Sequence, residues 1–265
     1  MKNSQAHQPL RSMENPKPTP EWLHAYRHLE KVKTLCQDHA DSFQARKSTL
    51  SELWSSSLFL RSTVAVQAAM LIFNHGLNDD ASNIIRSLFE IQLQLGAINA
   101  EPATAFRLMQ DTEGRRLKRL KALRDSGVEL PSDFSATDLA NEIAQMEKEK
   151  TGREIKKREL AENAGLLNEY TMVYSLLSDI THVSPTGLAN YFEGDLENRK
   201  VILNANTSAL SAEYLMAMAA AIQLNILVLA AKILQDELPS QVTELNQETR
   251  TLLQARAIVS EESRA

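Results

Sequence analysis

Tyr170, Tyr174, Ser178 and His182 recur every four residues in the segment LLNEYTMVYSLLSDITHVSP. On a helix, four-residue steps set successive side chains beside one another along a slowly drifting ridge. A histidine on such a ridge titrates near neutrality and can give or take a proton. The apolar face of the same segment is separate and comprises Leu166, Tyr170, Val173, Leu177 and Ile180. Ser178 and His182 therefore fall at its margin, with Thr171 and Ser175 nearby. The plainer reading makes His182 a C-terminal cap, bonded to a free carbonyl and favoured in its charged form by the helix dipole.

Arg86 and Glu90, in NIIRSLFEIQLQL, form a second constellation. At about 100° per residue they share a polar stripe with Asn83, Ser87 and Gln94. Set against the His182 helix, Arg86 would bind a phosphate or carboxylate, and Glu90 would orient Arg86 or His182. Left to itself, the pair is an ordinary i, i+4 ion pair on a solvated face. The third constellation is RRLKRLKALR, with six basic side chains. Arg115, Lys118, Arg119 and Lys121 of this segment, with Arg107 upstream of it, are the candidate nucleic-acid contacts. Leu108, Leu120 and Leu123 lie on the opposite side from Arg107, Arg115 and Lys118, so a basic outer face could track a phosphate backbone. The same pattern also describes a surface helix.

No phosphate-binding glycine loop, dinucleotide fingerprint, H-E-x-x-H or nucleophile elbow is present. Asp79, Asp80 and Glu90 could supply metal ligands, but adjacent acids at a helix start are usually caps, so neither metal nor cofactor is expected. The lone Cys36 excludes an intramolecular disulfide and fits a reducing compartment. A net charge of −5 argues against a globally basic nucleic-acid binder, while leaving room for a local patch.

Helices must position these residues. After a polar, proline-rich arm over 1–20, prolines occur only at Pro102, Pro131, Pro185 and Pro239, each between helical patterns. Helices are expected over about 21–45, 48–74, 79–99, 101–125, 166–184 and 208–235. Asp79 or Asp80 is the expected cap of the third. The uncharged run STVAVQAAMLIFN puts the second helix at the centre of the core. Residues 128–164 form a charged insertion: in EIAQMEKEKTGREIKKRELAE, 12 of 21 residues are charged, which no core could wrap. This is read as a solvated helical excursion broken at Gly152. A short hairpin around Gly194 and a polar helix or tail over 237–265 complete the chain. The fold class is all-α, a helical bundle over 21–236. Tyr214 to Ala231 carries no charge, but Gln223 and Asn225 would be poorly satisfied in lipid, so it reads as a buried core helix. The amino-terminal stretch has no apolar signal region, and a cytoplasmic chain with no membrane contact is expected.

The pairing of R-S-L-F-E at Arg86 to Glu90 with Y-x-x-x-S-x-x-x-H at Tyr174 to His182 resembles a bacterial helical family of unknown function. That family in turn resembles the "higher eukaryotes and prokaryotes nucleotide-binding" (HEPN-like) domains. The resemblance implies a metal-independent ribonuclease of the toxin–antitoxin or phage-defence kind, acting as a homodimer on RNA, with an antitoxin or defence-system protein as partner. His182 would then be the general acid or base, Arg86 would stabilise the phosphoryl oxygens, and Ser178 and Tyr174 would position the phosphate or the histidine. The nuclease pattern has an arginine shortly before its histidine. Here Leu176 and Leu177 stand in that region, and Arg86 would supply the charge from another helix. The alternative is a non-catalytic module that dimerises or docks a partner, with the polar cluster holding helices in register. A third reading makes the Arg86 stripe the anion site of a small-ligand sensor.

Overall fold

The computed structural model describes residues 18–40, 49–128, 135–149, 154–181, 192–195, 200–203 and 210–262. The helices are α1 (Pro20–Ala40), α2 (Leu50–Phe73), α3 (Asn78–Ala100), α4 (Thr104–Ser126), α5 (Ala136–Lys148) and α6 (Lys157–Asn163). Then come α7 (Leu167–Glu169), a π-helical turn (Tyr170–Tyr174) and α8 (Ser175–Thr181). Two short strands, β1 (Phe192–Asp195) and β2 (Lys200–Leu203), precede α9 (Ala212–Leu234) and α10 (Gln241–Glu262). The chain is an all-α helical bundle, with this one antiparallel hairpin attached. Gly194 lies within β1, paired with Val201, so it is not the turn.

Helices α3 and α9 form the centre. Apolar residues occur on nearly every side of α9, and Leu215, Leu224 and Leu227 are fully buried among α1, α2, α3 and α10. Each such side chain contributes about 1.5–3 kcal/mol by leaving water. By length and composition α2 and α9 are both apolar enough to cross a membrane, yet 72% of the α9 window is buried within the bundle. Gln223 sits in that buried window and donates from Nε2 to Ser62 Oγ at 3.1 Å, while Ser62 donates to the Phe59 carbonyl at 2.6 Å. The amide nitrogen of Gln223 thus finds a partner inside protein. Asn225 is exposed.

Helix α2 departs from expectation. Only one of its faces is covered, through Phe59, Val66, Ala69, Met70 and Phe73, and the opposite face stands open. An uncharged run reports how apolar a helix is. It does not report how many neighbours surround it. Thr49 and Glu52 close a capping box at its start. The cap of α3 also differs: the N-cap is Leu77, with no side-chain bond, and Asp79 and Asp80 fall inside the first turn, where they face the positive end of the dipole.

The charged insertion divides in two. α5 starts from a Ser135–Asp138 capping box and packs on α4 through Leu117, Leu139, Ile143 and Met146, a cluster separate from the main core. α6 returns to the bundle. Its Leu160 and Ala161 are buried in the main core, so one face of this half of the insertion is enclosed, while Lys156, Arg158 and Glu162 stay exposed. The approach of α6 to α3 is close: a Cβ at Gly96 would lie 2.7 Å from the Ala164 Cβ. Glycine at 96 is what permits that spacing. Gly165, at φ 69°, then turns the chain from α6 into α7. The carboxyl-terminal segment is a helix, α10, docked on α1 and α9. The amino-terminal arm and Gly152 lie outside the described residues.

Candidate functional site

Arg86, Glu90 and Gln94 form the polar stripe of α3, each half-buried, while the rest of that helix is largely enclosed. The stripe faces α6 and the segment from α7 to α8. The π turn over Tyr170–Tyr174 inserts extra backbone at this point and presents both tyrosines to α3. Their rings stack, with centroids 4.9 Å apart. Arg86 donates from an Nη to the Tyr174 hydroxyl at 2.7 Å, and its guanidinium carbon lies 4.8 Å from the Tyr174 ring centroid. The Arg86 Nε is 3.7 Å from the Glu90 carboxylate. Three residues singled out by spacing, Arg86, Glu90 and Tyr174, therefore lie in direct contact. Ser178, one turn further along α8, is half-buried. His182 lies outside the described residues.

Sequence reasoning missed Lys157. At the first position of α6, it donates from Nζ to Glu90 and, at 3.0 Å, to the Tyr174 hydroxyl. Burial works to lower the Lys157 pKa, but hydrogen bonds to Glu90 and Tyr174 and the Glu90 charge outweigh it, holding the ammonium above its ordinary value. Lys157 was concealed in a charged run. The apolar residues Ile155, Leu160 and Ala161 around it were the signal that α6 has a buried face.

Two cations from different helices thus converge on one phenol oxygen, with Glu90 neutralising part of their charge. Glu90, Lys157 and Tyr170 form one wall of a cavity of about 320 Å³. Arg115 and Lys156 add positive charge to its lining, Asp111 and Glu154 add negative charge, and Leu93, Leu108, Ile155 and Leu160 supply apolar surface. The arrangement suits a small anion or a phosphate carried on a larger molecule: Lys157, Lys156 and Arg115 line the cavity, and Arg86 shares the Tyr174 hydroxyl with Lys157. Among the described residues no group of three or more His, Cys, Asp or Glu side chains is placed to hold a metal ion.

The basic face of α4 is extensively paired. Arg107 meets Glu101 at 3.5 Å and also Glu159, Arg115 meets Asp111, Lys118 meets Glu154 at 3.0 Å, and Lys121 meets Glu147 at 2.6 Å. Arg116, one position on from Arg115, is bound to Glu142 of α5. Arg119 is exposed. The hydrogen bonds from Lys121 and Lys118 hold Glu147 and Glu154 below the usual carboxylate range. A phosphate backbone approaching this face would compete with carboxylates already in place.

No curated protein and no solved structure matches the chain. The profile of one family, the family of unknown function DUF5677, matches residues 52–200, from the first turn of α2 to the start of β2. Those residues carry Arg86, Glu90, Lys157 and Tyr174 together with α3, α4 and α6, which line the cavity. More than half of the chain is matched, and the protein belongs to the DUF5677 family.

Proposed function

We propose that the cavity beside Arg86 binds the phosphate of an RNA strand and that the protein is a metal-independent, HEPN-like ribonuclease of the toxin or phage-defence kind. The observation that carries this reading is the convergence of Arg86 and Lys157 on the Tyr174 hydroxyl, at 2.7 and 3.0 Å, beside an open cavity with further cationic lining. In the cleavage step, the ribose 2′-hydroxyl attacks the adjacent phosphorus and loses its proton to a base. The bond to the 5′-oxygen breaks, and that oxygen takes up a proton. The products are a 2′,3′-cyclic phosphate and a 5′-hydroxyl. Arg86 and Lys157 stabilise charge on the non-bridging oxygens. His182 is assigned the proton transfer on its sequence position and on the ability of an imidazole to give and take protons.

A specific observation favours a second reading. Glu90 already pairs with both Arg86 and Lys157, so the network is internally compensated, as in a non-catalytic module whose polar contacts fix helix register. Purified protein incubated with total or transfer RNA in EDTA, and scored for cyclic-phosphate ends, separates the two. Cleavage by wild type, reduced a hundredfold or more in His182→Ala and Arg86→Ala proteins that melt normally, supports the nuclease. Intact RNA, even with a cognate trigger or partner present, leaves the binding module.

A further inference from the structure

The open face of α2 is regular. Leu53, Ser57, Leu60, Val64, Gln67 and Leu71 are all exposed, and they are separated by 4, 3, 4, 3 and 4 residues. This is an a/d heptad seam, the pattern by which one helix packs along another. Its four apolar members are at least half exposed: Leu53 52%, Leu60 50%, Val64 66% and Leu71 60%. Of the residues between them, Ser55, Phe59, Ser62, Thr63, Val66, Ala69 and Met70 are buried, and Arg61 is exposed beside the seam. One side of α2 therefore serves this bundle, and the other has the periodicity of a helix–helix contact. The seam is about 27 Å long at 1.5 Å per residue.

The order of residues identifies what covers it. Read in either direction, the seam runs apolar, polar, apolar, apolar, polar, apolar. We infer that a second copy of this chain packs antiparallel along α2, with the two-fold axis between Leu60 and Val64. Leu53 then meets Leu71 of the second copy, Leu60 meets Val64, and Ser57 meets Gln67, where hydroxyl and amide can bond. Every apolar side chain faces an apolar one, and neither polar residue is buried against hydrocarbon. A two-fold contact must be self-complementary in this way. The antiparallel sense also sets the positive end of each helix dipole beside the negative end of its partner. Glu52 and Arg61 are the only charged residues in α2, so no charge lies in the seam itself. At about 27 Å long and about 10 Å wide, the width of one helix, the seam offers on the order of 270 Å² per copy, a part of the roughly 800 Å² per partner of a standard interface. This inference is independent of any catalytic role.

Ser57→Cys/Gln67→Cys protein treated with a short bis-maleimide tests the register. The double variant is expected to give a covalent dimer. Ser57→Cys alone is expected to give none, because the two copies of position 57 would lie about 15 Å apart along the axis. Native Cys36 is fully buried and should not contribute, which treated wild type verifies. In parallel, sedimentation equilibrium should show wild-type dimer at micromolar concentration and at least hundredfold weaker association for Leu60→Glu/Val64→Glu. That variant should keep the wild-type circular dichroism and melting curve, since both side chains are exposed. Cross-linking by Ser57→Cys alone, or wild-type monomer at tens of micromolar, overturns the proposal. A monomer that floats with phosphatidylglycerol-containing vesicles, and loses flotation in the glutamate variant, overturns it in favour of a membrane surface.

Discussion

Substituting Gly96 by alanine tests how tightly α6, and with it Lys157, is held against α3. The added Cβ would stand 2.7 Å from the Ala164 Cβ. Carbon atoms rest at about 3.5–4.0 Å, so the helices must separate by about 1 Å. Overpacking of this kind costs about 1–3 kcal/mol. Alanine in a helix interior returns about 1 kcal/mol over glycine. The net loss is about 1 kcal/mol, a fall in melting temperature of about 2–4 °C for a chain of this size. Ala164→Gly removes the opposing methyl. Combined with Gly96→Ala, it should restore most of the loss, giving a coupling of about 1–2 kcal/mol in a double-mutant cycle. The assay is thermal and urea unfolding of wild type, both single variants and the double variant. Because α6 begins with Lys157, phosphate binding should weaken in Gly96→Ala and recover in the double variant. A Gly96→Ala protein that melts above wild type, with no coupling to position 164, would refute the close-packing argument.

Acid should loosen the clasp between α1 and α10. There His28 Nε2 lies 2.7 Å from the Thr249 hydroxyl and Nδ1 lies 3.0 Å from the Glu248 carboxylate, with Lys31 and His24 also facing that carboxylate. Burial, opposed by Glu248, lowers the His28 pKa from 6.5, so the unfolded chain takes up this proton first; the stabilisation is complete above pH 6.5 and is lost as pH falls through the lower folded value. Melts and limited proteolysis between about pH 7.5 and 5.5 should show α10 released on the acid side, with a flatter profile in His28→Gln. Cys36, whose thiol burial pushes up to about 12, should resist alkylation at neutral pH until the protein unfolds; rapid labelling of the native chain would contradict its placement. Glu90→Gln should raise affinity for inorganic phosphate by about three- to tenfold, as titration calorimetry can read, because it removes the anion beside Arg86 and Lys157. A weaker affinity would mean that Glu90 chiefly holds those cations in position.

The helices were legible because glycine and proline mark their ends: α2, α3, α4 and α9 fall within a few residues of the spans read from the sequence. Arg86, Glu90 and Tyr174 were legible because four-residue spacing defines a stripe within one helix. What periodicity cannot supply is the neighbour across the gap. Lys157 reaches Glu90 from 67 residues away, inside a run whose charge suggested solvent. The uncharged run of α2 suggested a central helix, yet its exposed positions follow a heptad that becomes apparent once the buried face is assigned. The basic residues of α4 were correctly seen as an outer face. Their partners, Glu142 and Glu147 of α5 and Glu154 before α6, depend on how the insertion folds back.

The separate cluster beneath α5 divides the stability of the molecule. Leu117, Leu139, Ile143 and Met146 touch one another, with Leu120 and Leu123 at their edge, and they form no part of the main core. Detaching α5 therefore opens a few apolar contacts and leaves α3 and α9 enclosed. Segments held this way exchange their amide hydrogens through local opening at a free energy well below that of global unfolding. The distal turns of α4 and all of α5 are expected to open as such a unit. Opening of this unit would release Glu142 and Glu147 from Arg116 and Lys121, leaving a more cationic α4 surface while α3 and α9 stay enclosed.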